Sequence, residues 1–181
     1  MTEAFPGQHT TTTTVTQSST TVQTDIRYDS TYIRTIPGML KCAQTVLNLL
    51  GFLTISISGY SVNGRGSFFS SISGFGFWFT GILLVLYLFH VVEKFFAIPW
   101  LRIEFGFCAL WAVFYMIAST LCAAYLSYSA AFACAALFGY CAMAAYGYDA
   151  FLKFQGVKSG EIAQGERHVA KTTSTVTSPA Y

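Results

Sequence analysis

The chain has 181 residues, of which 54% are hydrophobic and only 10% are Asp, Glu, Lys or Arg, with a net charge of +2. A 19.8 kDa globule has too little interior to hide that much apolar surface from water. The composition therefore excludes an ordinary soluble enzyme and a disordered chain, and ten basic residues balanced by eight acidic ones exclude a nucleic-acid binder.

In chain order, the first 33 residues are polar. Thr10–Thr24 has 11 Ser or Thr among 15 residues, cannot build a packed core, and is expected to be disordered, as is residues 156–181 with its Thr172–Ser178 run. Neither the late start of the first apolar run nor the residue after Met1 fits a cleaved signal or N-myristoylation. The first predicted span covers 38–58. Lys41, Gln44 and Asn48 recur at intervals of three and four, so they share one helix face, followed by Gly51. Amides in hydrocarbon seek partners, so Gln44 and Asn48 are expected to look into a bundle and bond to other helices; a ligand or ion site is the alternative reading. Cys42, beside Lys41 at the membrane edge, is a candidate for S-palmitoylation, or a buried thiol.

Gly59–Ser67 is a short turn segment, and residues 68–92 form a second span without a charge. Its first half carries Phe68, Phe69, Phe75, Phe77, Trp78 and Phe79, rings suited to meeting sterols or a partner helix, or equally to packing a core. Pro99 disfavours helix at Ile98, and Trp100 suits the headgroup belt, so the two are expected to form an interfacial link that redirects the chain. Spans three (105–126) and four (130–148) are joined by three residues and must be antiparallel neighbours. Ala131, Ala135 and Gly139 recur every four residues on span four and permit close helix approach. Cys134 and Cys141 are expected to pack, and no metal constellation accompanies them. His90 with Glu93, and Asp149 with Lys153, are placed at the membrane boundary, where charge is readily solvated.

Each stretch is long enough for a helix to cross about 30 Å of hydrocarbon, and none alternates as a barrel strand does. Four spans put both termini on one side. That side carries Arg27, Arg34, Lys41, Lys94, Arg102, Lys153, Lys158, Arg167 and Lys171, and the other carries Arg65, so the termini are expected in the cytoplasm. The fold class is an all-α membrane protein: an antiparallel four-transmembrane-helix bundle over residues 34–155 with disordered cytoplasmic tails.

The arrangement resembles the MARVEL family of tetraspan proteins. Arg34–Gln44 (RTIPGMLKCAQ) resembles the start of span one in its chemokine-like-factor-like branch. Tyr87-Leu88-Phe89 with Lys94–Trp100 (KFFAIPW), and Ala142–Tyr148, resemble the plasmolipin branch. The exoplasmic loop before span four is shorter than is usual there. The resemblance implies a non-enzymatic multi-pass protein that organises membrane domains and sorts partner proteins and lipids in plasma or endosomal–vesicular membranes, without a cofactor. Its partners would be the bilayer itself, sterol-rich in places, other membrane proteins held by lateral helix contact, and further copies of the chain. An oligomeric channel or transporter and a structural component of a cell junction are the alternatives. The topology is testable: an N-glycosylation sequon placed beyond Lys171 should remain unmodified in the secretory pathway, and sodium carbonate should leave the protein in the membrane; a glycan at that site would reverse the orientation.

Overall fold

The computed structural model describes residues 11–21, 28–95, 98–160 and 168–178, with side chains for the second and third of these ranges. The chain divides into two units, residues 24–165 and the paired tails. In the larger unit four helices are long and apolar enough to cross a membrane: α1 (Ile36–Ile57), α2 (Gly64–Leu88), α4 (Trp100–Ala123) and α5 (Ala130–Ser159). A one-turn helix, α3 (Val91–Lys94), follows α2. The long helices pack in the circuit α1–α2–α4–α5, each against its two neighbours.

Local chemistry sets the helix ends. A 3₁₀ turn, Ser30–Arg34, precedes α1; the Thr35 hydroxyl then caps the helix by accepting the Gly38 amide, with Pro37 in the first turn, where it costs no hydrogen bond. Gly59, at φ 73°, turns the chain into a second 3₁₀ turn, Tyr60–Val62, ahead of α2. The Ser129 hydroxyl caps α5 and Gly160, at φ 74°, ends it. Relative to the sequence boundaries, α2 starts four residues earlier and stops at Leu88, and α5 runs eleven residues past Tyr148. At about 1.5 Å per residue α5 is about 45 Å long, more than a bilayer core needs. Helix-favouring Leu152, Lys153 and Lys158, with no Gly or Pro stop before Gly156, continue it.

The bundle is polar inside and apolar outside. Leu, Ile, Val, Phe and Met side chains from all four helices are exposed on the outer surface, whereas Lys41, Gln44, Asn48, Ser73, Thr80, Glu104, Ser119, Asp149 and Lys153 are buried. In water that distribution would be unstable; in hydrocarbon it is the favourable one. One apolar cluster runs along the bundle, from Ile55, Phe69, Cys122 and Phe132 at the end next to the two short links to Cys108, Tyr146 and Ala150 towards the other. Phe69 is the wedge at the linked end. Its ring lies between Gly51 of α1 and Gly139 of α5, where added Cβ atoms would stand 3.0 Å and 2.8 Å from it.

In the other unit, β1 (Thr11–Thr21) pairs antiparallel with β2 (His168–Ser178), from Thr11 opposite Ser178 to Thr21 opposite His168. The sequence predicts no regular structure in these stretches. The difference has a physical reason, because both are rich in β-branched Thr and Val, which favour extended backbone. The expectation of disorder for residues 1–10, 22–27, 161–167 and 179–181 lies outside the described residues.

Gly139 gives a direct test of packing. A Cβ at this position would also meet Ser119 Oγ at 2.1 Å. Gly139→Val should lower the unfolding free energy in detergent by about 1–3 kcal/mol, as overpacking does. Gly147→Ala, in open space on the same helix, should be neutral or slightly stabilising in the same thermal melt.

Candidate functional site: a buried ionic cluster and polar seam

Lys41 enters the bundle on the second turn of α1, Glu104 on the second turn of α4, and Asp149 and Lys153 one turn apart on α5. All four are at most 5% exposed. Lys41 Nζ and Lys153 Nζ each lie 2.9 Å from the same atom, Glu104 Oε2. Asp149 Oδ2 is 4.0 Å from Lys41 Nζ, accepts from Gln44 Nε2 at 3.1 Å, and faces the Cys108 thiol at 3.4 Å. Two ammonium groups and two carboxylates sum to zero charge, which is what allows them to sit away from water. Tyr87 of α2 completes the ring of helices, its face 5.3 Å and 5.5 Å from the two ammonium nitrogens.

A turn deeper, the network turns uncharged. Asn48 Nδ2 donates to Tyr146 Oη at 2.8 Å, and Tyr146 Oη is 2.8 Å from Thr80 Oγ1. Since the Tyr146 oxygen accepts from Asn48, its own proton is free to go to Thr80. Tyr115 donates to Asn48 Oδ1 and lies 3.2 Å from Ser73 Oγ. Trp111 Nε1 donates to the Ile72 carbonyl at 3.2 Å. Gly76 makes this convergence sterically feasible: a Cβ there would stand 2.8 Å from Trp111 Nε1 and 2.9 Å from Asn48 Oδ1. The seam thus draws on all four long helices and ends against Phe69. It is a closed internal contact, with the chemistry of structural polar bonding between membrane helices.

At the charged end a strap formed by residues 28–35 lies against the end of α2. The Asp29 amide donates to the Leu88 carbonyl at 2.9 Å, and Tyr32 stacks on Tyr87 with centroids 5.1 Å apart. Thr31, through its hydroxyl and amide, holds the Asp29 carboxyl below the usual carboxylate range, while burial raises the Tyr32 phenol. His90 stands between strap and α3, with Nδ1 2.7 Å from Glu93 Oε1 and Nε2 3.3 Å from Asp29 Oδ2.

The residues singled out from the sequence fall into separate places. Gln44 and Asn48 lie in the seam. Ala135 and Gly139 are buried against α2 and α4, and Ala131 is half-buried; this face of span four is used up within the bundle and is not available for lateral contact. Pro99 is the residue before α4, and Trp100 opens the helix, its indole Nε1 donating to the Phe95 carbonyl at 3.0 Å. Cys42 is half-buried one residue past Lys41. Three expectations are corrected. Cys134 and Cys141 are exposed on the outer face of α5, because Ala135, Ala136 and Gly139 occupy the inner one. Asp149 and Lys153 are buried, because α5 continues and carries them under Glu104. His90 and Glu93 are buried too, under the strap. Glu104 was not legible as a site residue. It stands immediately before a charge-free run, and its signal was that α4, if begun at Trp100, would carry it inward at the depth of Lys41.

These features define a multi-pass membrane protein whose four helices are tied by polar bonds inside a lipid-facing shell. A profile of the MARVEL family, described as a membrane-associating domain, matches residues 32–152, and the chain belongs to that family. Among curated proteins it is similar to plasmolipin of Rattus norvegicus, 27% identical over 138 residues, which cover 72% of this chain and 76% of that protein. No solved structure matches.

Glu104→Gln should destabilise the bundle by about 3–5 kcal/mol, because it leaves two buried ammonium groups facing one carboxylate. Adding Lys153→Gln restores neutrality and should recover at least half of the loss. Unfolding in detergent micelles checks both, and additive losses in the double variant would show that the groups are not coupled.

Proposed function

We propose that this protein is a non-enzymatic organiser of membrane domains, which sorts lipids and partner membrane proteins in plasma or endosomal–vesicular membranes, with both termini in the cytosol. The family membership supports the membrane role. The positional excess of Lys and Arg on the terminal side supports the orientation. One observation carries the sorting role: the charged and amide side chains are buried inside the bundle, and the outer surface that faces other molecules carries a shaped groove.

The groove lies between α1 and α2, has a volume of about 320 Å³, and is lined by residues that include Ser61, Ser67, Ser71, Phe52, Phe75 and Trp78. Ser61 lies in the short link between the helices and Ser67 in the first turn of α2. Phe75 and Trp78 stand two to three turns deeper along α2, 71% and 68% exposed. Hydroxyls at the membrane boundary and rings towards its middle match a rigid amphiphile with a small uncharged head. No Lys or Arg is among the lining residues to hold a phosphate. A 3-hydroxysterol in the leaflet next to this link is the occupant that fits. Preference for sterol-rich bilayer would then follow from a stereochemical contact, and partner proteins would be gathered through the lipid they share.

The test is photolabelling of the full-length protein in liposomes with a diazirine sterol. Labelling should map to peptides from 64–88, be displaced by unlabelled sterol, and fall about tenfold in Phe75→Ala/Trp78→Ala, a loss of roughly 1.4 kcal/mol. Labelling by a diazirine phosphatidylcholine should be unchanged. Equal labelling of wild type and variant by the sterol would sink the reading.

A further inference from the structure

We infer that the ionic cluster is a binding site for internal water, which donates to Glu104 Oε1 and Asp149 Oδ1 and completes the pairing of the four charged side chains. The inference is independent of the groove reading above.

Counting donors and acceptors leads to it. An ionised carboxylate offers about four lone-pair sites on its two oxygens, and an ammonium group has three N–H donors. Both ammonium groups converge on Oε2 of Glu104, and the Gln44 amide and the Cys108 thiol both reach Oδ2 of Asp149. Glu104 Oε1 and Asp149 Oδ1 are buried with no donor at bonding distance, and the buried Tyr32 hydroxyl likewise has no partner. The Tyr87 phenol faces the Glu104 carboxyl, but its single proton meets only one lone pair. Lys41 and Lys153 each reach one oxygen, Glu104 Oε2, and the 4.0 Å from Lys41 Nζ to Asp149 Oδ2 is beyond bonding distance. Unspent donors and unspent acceptors therefore stand in one cluster without matching each other directly.

Leaving a buried charged oxygen without a donor costs more than an ordinary hydrogen bond returns, so the count has to be closed by another molecule. Two constraints set its chemistry. The four side chains sum to zero charge, so a cation would be repelled by two ammonium groups and an anion by two carboxylates; the occupant is neutral. It must also donate to carboxylate oxygens and accept from N–H groups. Water does both, and buried water typically makes two to four such bonds.

The surroundings fit. Lys41 and Glu104 lie on the second turns of their helices, close to the membrane boundary, where water is within reach. Tyr32 is a fixed wall of the site, stacked on Tyr87 and packed with Val92. Burial, and then the Glu104 and Asp149 carboxylates, raise its phenol, which places its oxygen in their field. One turn deeper the chemistry differs, because Asn48, Tyr115 and Tyr146 bond to one another directly. Hydration thus ends at the cluster and does not continue along the seam.

Radiolytic hydroxyl-radical footprinting of the full-length protein in lipid nanodiscs, in isotopically labelled water, tests this. The radicals form from water itself, so a buried side chain is oxidised where water is bound beside it. Three tyrosines provide an internal comparison at equal burial: Tyr87 beside the cluster is 1% exposed, and Tyr115 and Tyr146 in the seam are 1% and 0%. Tyr87 and Cys108 should be oxidised with uptake of the label, while Tyr115 and Tyr146 stay unmodified. Asp149→Leu/Lys153→Met keeps the charge sum at zero, fills the space with apolar atoms, and should lose the modification of Tyr87 and Cys108. Continued protection of Tyr115 and Tyr146 reports that this variant is folded. Protection of Tyr87 as complete as that of Tyr115 in the wild type, or unchanged labelling of Tyr87 and Cys108 in the folded variant, would overturn the site.

Discussion

Two ammonium groups meet at one carboxylate oxygen of Glu104, and the arrangement of the long helices depends on that meeting. An unpaired charge in hydrocarbon is among the most costly groups a helix can carry. Lys41, Glu104, Asp149 and Lys153 can each enter the membrane only if the others arrive with them, and they come from three helices. Tyr87 brings α2 to the same point. The cluster thus sets both the order of the helices around the bundle and their relative depth. Apolar packing alone would do neither, since lipid tails solvate Leu and Phe as well as another helix does.

From that anchor the packing changes character along the bundle. Charges give way to amides and phenols at Asn48, Tyr115 and Tyr146, and these to Phe69 wedged between two glycines. Each change follows from the space available. Gly76 allows Asn48 and Trp111 to reach α2, and Gly51 and Gly139 allow a phenyl ring to sit where two backbones approach. Most of the interior's polar groups are thus bonded to one another across the helices. What it leaves for other molecules is the outer shell, with its serine-headed groove, and the strap at the charged end.

Groove and strap stand at opposite ends of the bundle and work by different physics. The groove is a matter of shape and a few hydroxyls, open sideways to the bilayer. The strap is held by stacking of Tyr32 on Tyr87, one backbone bond and the contact of His90 with Asp29.

Four helices, their antiparallel pairing and the inward aim of Gln44 and Asn48 were determined by the sequence itself, because hydrocarbon tolerates few charges and every apolar run had to find its length. The small-residue face of span four, Ala131, Ala135 and Gly139, was legible from its spacing. What the tertiary structure decided was the partnership of charges. Asp149 and Lys153 read as boundary residues until α5 is seen to continue past Tyr148, and Glu104 read as the end of a loop until α4 is seen to begin at Trp100. Their burial is a property of the assembled helices: each is tolerable only beside the others, and residues 63 and 105 positions apart come together through no pattern that a single segment carries.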